Sequence, residues 1–215
     1  MRDSRDRSLL AWGESAPSNT LMGCTLAARS NFADRLKDRI QAAILAADVA
    51  GYSRLMATDE WATVATLEAY RAVFRERVTR HSGRIVDTAG DSVLAIFPCA
   101  VSAVEAALGI QEELDGRNKT LPRNLRMRFR LGVNFGVVIE KDDGTIYGLD
   151  VNLAAHIESL AEPGSTTISE GVHRRVMGKV GRDFQDIGEH QVKNLAKQVR
   201  AFSVTPGPAE RRRAA

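Results

Sequence analysis

Apolar and polar positions alternate along this chain in blocks that predict a regular order of strands and helices. Ala42 to Val49 is a short apolar run ending at Gly51, which suits a buried strand. Thr58-Asp-Glu60 then offers capping and acidic first-turn residues. After it Trp61, Val64, Leu67, Tyr70, Val73, Phe74 and Val78 recur at three- and four-residue steps, a helix that stops at Gly83. Ile85-Val86 and Val93 to Phe97 flank Ala89-Gly-Asp-Ser92, a hairpin pattern closed by Pro98. Val101, Val104, Ala107, Leu108, Ile110 and Leu114 mark a second helix, closed by Gly116 and followed by a polar loop to about Arg123.

Alternation returns at Met127, Phe129, Leu131 and Val133, a strand continued after Gly136 by Val137 to Ile139 and turned at Asp142-Asp-Gly144. Asp150 to Leu160 reads as a short helix ending near Pro163-Gly164. Thr166 to Ser169 reads as a strand, Glu170 to Val180 as a helix, and Val199 to Val204 as a final strand before Pro206 and Pro208. This order predicts an α+β sandwich with helices on one sheet face. No internal repeat is visible.

Composition narrows the class. With 215 residues, 44% hydrophobic and 27% charged, the chain can form one soluble domain with extensions. The net charge of +3 comes partly from Arg211-Arg-Arg213, a solvated tail rather than a nucleic-acid footprint. Cys24 and Cys99 lie far apart without metal spacing, which points to a reducing, cytoplasmic setting. No apolar run reaches the ~18 residues that span a bilayer. Residues 1–38 are rich in Ser, Arg, Asn and Gly and read as a poorly ordered leader. Asp3, Asp6 and Glu14 argue against a transit peptide, and Met22 is a candidate internal start. Residues 39–205 form the expected domain and 206–215 a basic flexible tail.

Candidate chemistry sits in Ile44 to Ser53 and Gly83 to Phe97, each an apolar run broken by one aspartate beside a glycine. Two strands that each place a carboxylate at a turn can build a two-metal site. Magnesium takes few protein carboxylates and completes its shell with water and phosphate oxygens. Asp91 also fits a plain turn residue, since Gly-Asp suits tight turns. Asp48 directly follows an apolar run, where a carboxylate without a partner is costly. Ala50, Gly51, Tyr52 and Ser53, just after the strand, can offer backbone N–H groups to phosphate oxygens.

These segments resemble the class III nucleotidyl cyclase catalytic domain, the family of adenylate and guanylate cyclases. The likeness runs from about Arg39 to Val204. It rests on Ile44 to Ser53, Val86 to Phe97, Tyr147-Gly-Leu-Asp-Val-Asn-Leu-Ala-Ala-His-Ile-Glu158 and Gln191-Val-Lys-Asn194. The resemblance implies a ferredoxin-like α/β sandwich, with an antiparallel-rich sheet and helices packed on it. It also implies a head-to-tail dimer with active sites at the subunit interface. One subunit would supply the metal ligands Asp48, Asp91 and the Val49 carbonyl, holding two Mg2+ or Mn2+ ions per site. The implied reaction is attack of the ribose 3′ oxygen of ATP on the α-phosphorus, with pyrophosphate leaving.

The same resemblance assigns Asn152 to the ribose, although an asparagine in a first helical turn is also ordinary. Four residues on, where the family carries an arginine for the transition state, stands His156. It has a shorter reach and no five-donor fork, and a packed helix histidine is the alternative reading. The family's base-reading lysine falls at Asp87, and its partner at Thr145, whose hydroxyl can accept from the adenine amino group. Lys193, with Lys197 as second choice, resembles the lysine for the terminal phosphates, though surface lysines are common. A guanine-selecting glutamate is absent, which favours ATP over GTP. The Gly-Gly-Asp/Glu-Glu-Phe signature of diguanylate cyclases is also absent. Two readings follow. One is a homodimeric adenylate cyclase weakened by His156. The other is a degenerate subunit that lends its metal half-site to another cyclase chain or acts as a regulatory binding module. Neither involves nucleic acid or a membrane span.

Overall fold

The computed structural model describes residues 36–192 and 198–205. Residues 1–35 of the expected leader, the expected tail and the lysines at 193 and 197 lie outside the described residues, and residues 36–38 open the first strand. The sheet has eight strands in the order β2-β3-β1-β4-β6-β8-β7, with β5 paired to β4. The strands are β1 (Leu36–Val49), β2 (Arg84–Asp87), β3 (Val93–Phe97), β4 (Phe129–Lys141), β5 (Ile146–Tyr147), β6 (Thr166–Ser169), β7 (Asp183–Gln191) and β8 (Gln198–Thr205). Pairings β1–β3, β2–β3, β4–β5, β6–β8 and β7–β8 are antiparallel, while β4–β6 is parallel. This is the mixed, antiparallel-rich α+β sandwich that the sequence predicts.

β1 is apolar at consecutive positions because both its faces are covered. Ala43, Leu45, Ala47 and Val49 join Phe129, Leu131 and Val133 of β4 in the main core. Helices α2 (Glu60–Arg80), α3 (Ala100–Lys119) and α5 (Glu170–Val176) close that core with Phe74, Val104, Ile110 and Val172. Ala42, Ile44 and Ala46 face the other way, into a smaller cluster with Ile96, Val138, Ile146 and Ala154. Ala154 belongs to α4 (Leu149–Ser159), so helices cover both faces. This corrects the one-face arrangement expected from the element order. The reason lies in β4: a Cβ on Gly132 would stand 2.2 Å from the Glu158 nitrogen, and one on Gly136 would stand 2.0 Å from the Asp150 carboxyl carbon. Bare backbone at these two positions lets α4 lie directly on the strand.

Local chemistry explains most element ends. The Asp59 carboxylate accepts from the Ala62 N–H at 2.9 Å and opens α2. α3 runs past Gly116, the predicted stop, because that position faces open space and the next turn carries buried Asn118. Asn118 donates to the Met127 carbonyl at 2.8 Å, accepts from the Met127 N–H at 3.0 Å and accepts from the Tyr70 hydroxyl at 2.9 Å. α5 ends at Val176 instead of reaching Val180, and the chain turns away through Gly178 at φ 75°. Three elements are not predicted by the periodicity: the short helix α1 (Tyr52–Thr58) and strands β5 and β7.

Candidate active site

The β1–β3 register brings the two candidate metal ligands together. Ala47 pairs with Val93, so one further step along each strand puts Asp48 beside the Asp91–Ser92 corner. The two carboxyl groups lie within hydrogen-bonding reach. Burial pushes the Asp48 carboxyl above its ordinary range, and the charge and hydrogen bond of Asp91 push it further; the Val49 N–H and Arg130 oppose this. Asp48 continues the face of Ala42, Ile44 and Ala46 but stands at the strand end, where it is half-buried. Val49 closes β1 with its side chain in the main core.

Asp91 sits on a turn held from outside. Ser92 donates through its N–H and its hydroxyl to the Ala89 carbonyl, at 3.1 and 2.7 Å, and Gly90 takes φ 59°. Arg71 of α2 reaches across to the same turn. One of its Nη groups donates to the Thr88 carbonyl at 2.7 Å and also to the Gly90 carbonyl. The other pairs with Glu68 at 2.6 Å. Arg71 therefore acts on the residues immediately before Asp91.

Two charged residues complete the surroundings, and neither belongs to the sequence-derived site. Arg130 on β4 is half-buried, and its Nε has no hydrogen-bond partner. Glu158 closes α4, and its carboxyl is pushed up to about 7 by burial first, then by Asp48 and Asp91, with Arg130 opposing. Positions 130, 132, 134 and 136 share the strand face that α4 covers, so period-two reading of β4 could have placed Arg130 there. Glu158 follows Ala154 by one helical turn on the packed side of α4, which is the signal for a polar group aimed inward.

The start of α4 is fixed by Asp150. Its carboxylate accepts from the Val137 N–H at 2.8 Å and from Asn134 Nδ2 at 3.3 Å, and Asn134 accepts from the Ser169 hydroxyl at 2.8 Å. Asn152, in the next turn, is exposed. His156 is half-buried with its Nε2 enclosed and unpartnered. Burial, and secondarily His190, hold its pKa below the ordinary 6.5, so the ring is neutral at pH 7.

The remaining candidates scatter. The Thr145 N–H donates to the Asp143 carboxylate at 2.9 Å. A threonine hydroxyl has lone pairs for an incoming donor. Asp87 is exposed at the end of β2 and accepts from the Thr88 N–H at 2.7 Å. Among the turn residues, the Ala50 N–H is spent on the Arg128 carbonyl at 2.9 Å, which removes it from the expected phosphate donors. Gly51 adopts φ 72° and starts α1, and its own carbonyl accepts from the Arg54 and Leu55 N–H groups.

Hard oxygen ligands suit the pair formed by Asp48 and Asp91. Among the described residues, no group of three or more His, Cys, Asp or Glu side chains is placed to hold a metal. Two neighbouring carboxylates fit a divalent ion that draws its other ligands from water and phosphate, as Mg2+ and Mn2+ do. Among the described residues, no helix is long and apolar enough to cross a membrane.

Comparison with known proteins agrees with this geometry. Residues 36–205 match the family described as adenylate and guanylate cyclase catalytic domain. A curated Rhizobium meliloti (strain 1021) protein named "Putative adenylate cyclase 3" is 43% identical over 166 residues, covering 77% of this chain and 28% of that protein. This chain thus spans less than a third of the length of that relative. The crystal structure of an adenylate/guanylate cyclase/hydrolase from Silicibacter pomeroyi superposes with TM-score 0.72 at 38% identity, covering 79% of this chain and 99% of that one. The adenylyl cyclase CyaB from P. aeruginosa shares the fold, with TM-score 0.69 at 22% identity over 79% of this chain and 96% of its own.

Proposed function

Since the chain belongs to the adenylate and guanylate cyclase catalytic domain family, we propose that it converts ATP to 3′,5′-cyclic AMP and pyrophosphate at a dimer interface. The observation that carries this reading is the β1–β3 register, which sets Asp48 beside the turn of Asp91 so that each carboxyl feels the other's charge. With the Val49 carbonyl they would hold two Mg2+ or Mn2+ ions, which when bound supply Lewis acidity at the 3′ oxygen and neutralise triphosphate charge. The 3′ oxygen forms a bond to the α-phosphorus and gives up its proton to solvent water. The bond from that phosphorus to the bridging oxygen breaks, and pyrophosphate leaves with the electron pair.

The chain's own residues bind and orient. Arg130, with an unspent Nε beside Asp48, supplies positive charge to the triphosphate. Gly51, Tyr52 and Ser53 offer the N–H groups of the turn after β1. Thr145 accepts from the adenine amino group, and Asn152 orients the ribose. Asp87 and the lysine at 193 complete the set, Asp87 as a weakened base contact and Lys193 at the terminal phosphates.

Helix geometry favours two chains per site. Glu158 feels the charge of Asp48. Asn152 lies six residues earlier, about 9 Å along the axis and about 240° around it. It therefore faces away from the metal ligands of its own chain and can serve a site on a second one.

A second reading rests on His156. A neutral, half-buried imidazole cannot stabilise charge on the α-phosphoryl group, and removing such a stabiliser costs on the order of 10²–10³ in rate. In that reading the chain lends its metal half-site to an arginine-bearing cyclase chain. Purified protein with ATP and Mn2+ or Mg2+ tests both. Cyclic AMP formation abolished in Asp48→Asn supports the enzyme. Robust turnover by the isolated wild type refutes dependence on another chain. Absence of cyclic AMP both alone and with an arginine-bearing relative refutes the cyclase reading.

A further inference from the structure

A cleft of about 510 Å3 opens beside the turn that follows Asp48, lined by Ala50, Arg54, Arg123, Arg126, Arg128 and Pro163. Four guanidinium groups on one concave wall are unusual without counter-charges. Several arginines elsewhere are paired: Arg77 with Glu113, Arg84 with Glu140, Arg117 with Glu113 and Arg200 with Asp186. Among the described residues, none of the four in the cleft has an acidic partner. We propose that this cleft is a polyphosphate subsite that receives the pyrophosphate released at the active site, an assignment that rests on the cyclase reading above.

The walls are built to hold these charges in place. The Ala50 N–H donates to the Arg128 carbonyl at 2.9 Å, which ties the end of β1 to the loop entering β4. Arg126 Nε donates to the Leu121 carbonyl at 3.1 Å, which anchors that side chain within the loop. The Arg54 guanidinium folds over Gly51, whose absent Cβ would stand 3.7 Å from Nε and 3.9 Å from one Nη. The cleft is thus continuous with the turn that begins two residues after Asp48. Arg128 stands two residues before Arg130 of β4, the arginine whose charge acts on Asp48.

The chemistry selects a multivalent phosphate. A guanidinium presents a planar fork that matches two phosphate oxygens, and several forks on a concave surface favour an ion with oxygens on more than one side. Nucleobase recognition is not offered, because the lining has no aromatic ring and no side-chain amide. Pyrophosphate carries several negative charges on two phosphoryl groups, and the cleft begins at Ala50, two residues from Asp48.

Titration of inorganic pyrophosphate into the purified chain in EDTA tests the site apart from catalysis. Arg123→Gln/Arg128→Gln should bind it at least about tenfold more weakly, the loss that follows removal of charge-assisted bonds. Arg123→Lys/Arg128→Lys should fall between, with circular dichroism unchanged in both. In turnover assays the inhibition constant of pyrophosphate should rise in parallel, while KM for ATP stays within about twofold. Unchanged pyrophosphate affinity in the Gln variant overturns the assignment. So does equal displacement by sulfate at matched ionic strength, or a KM for ATP that rises in step with the inhibition constant. If the chain makes no cyclic nucleotide, the EDTA titration still decides the subsite, and the cyclase reading alone fails.

Discussion

Arg71 offers the sharpest test of how the fold places its metal ligands. Its side chain is 14% exposed, and its guanidinium donates to the Thr88 and Gly90 carbonyls of the turn that carries Asp91. Arg71→Met keeps an apolar stem of similar length against α2 and removes both bonds. Hydrogen bonds to a charged group contribute roughly 1.5–3 kcal/mol each, and the exposed pair with Glu68 adds about 0–1 kcal/mol. Freed turn carbonyls regain water in part, so a net loss of about 2–3 kcal/mol in unfolding free energy is expected.

Stability alone does not distinguish a clamp from ordinary packing. The distinguishing readout is metal affinity. A loosened turn lets Asp91 leave Asp48, and losing an outer support of a metal ligand typically costs 10–100-fold in affinity. Mn2+ binding to the nucleotide-free protein, followed by calorimetry at pH 7.5, should therefore weaken by at least about tenfold in Arg71→Met. Arg71→Lys can reach one carbonyl but not both, and should recover part of the affinity. A variant that loses stability while binding Mn2+ within about twofold of wild type would refute the clamp.

Two further outcomes follow from the same geometry. His156→Arg should raise cyclic AMP production by about two to three orders of magnitude in the isolated chain, the range attributed to such a charge; no gain would mean that turnover is limited elsewhere. Gly132→Ala would place a Cβ 2.2 Å from the Glu158 nitrogen and 2.7 Å from the Ala154 carbonyl, so α4 must shift off β4. Urea denaturation should show a loss of about 2–4 kcal/mol, above the usual cost of a surface substitution.

Patterning made the layers legible because periodicity reports burial directly. Helix α2, strand β6 and the β2–β3 hairpin follow from it within a few residues. Strand β7 escaped because Asp183-Phe-Gln-Asp-Ile-Gly-Glu-His-Gln191 is polar on both faces and owes its conformation to backbone pairing with β8 at the sheet edge. Helix α1 escaped because seven residues with Leu55 alone buried give no stripe to read. The site divides in the same way. Asp48 and Asp91 each interrupt an apolar run beside a glycine and so stand out locally. Arg130 and Glu158 could be placed on their inward faces by period, but Arg71 carries no such signal, and the meeting of all three with the aspartates depends on separate elements coming together. His156 was legible as a departure, but its neutrality depends on enclosure and on His190 across the fold.

The carboxylates themselves set a cost that pH can expose. Asp48, Asp91 and Glu158 surround one arginine, and strand pairing holds them there whether or not a cation is bound. The folded protein answers by retaining protons: Asp48 is raised above its ordinary value, and Glu158 is raised from 4.5 to about 7. A raised carboxyl pKa means that the folded state binds more protons than the unfolded one through this interval. The contribution of Glu158 is fully present below pH 4.5 and is lost as pH rises through about 7. The slope in that window is at most about 1.4 kcal/mol per pH unit, and solvent screening of a half-buried group reduces it. Glu158→Gln abolishes this titration. In EDTA the variant should gain stability relative to wild type as pH rises from 5 to 8, measured by urea midpoints at fixed ionic strength. Mn2+ at the Asp48–Asp91 pair favours the ionised Glu158 carboxylate, so the difference between the two proteins should shrink when the ion is added. Parallel pH profiles for wild type and Glu158→Gln in EDTA would mean that the carboxyl is already ionised, and that the crowding around Arg130 is not what the fold holds in check.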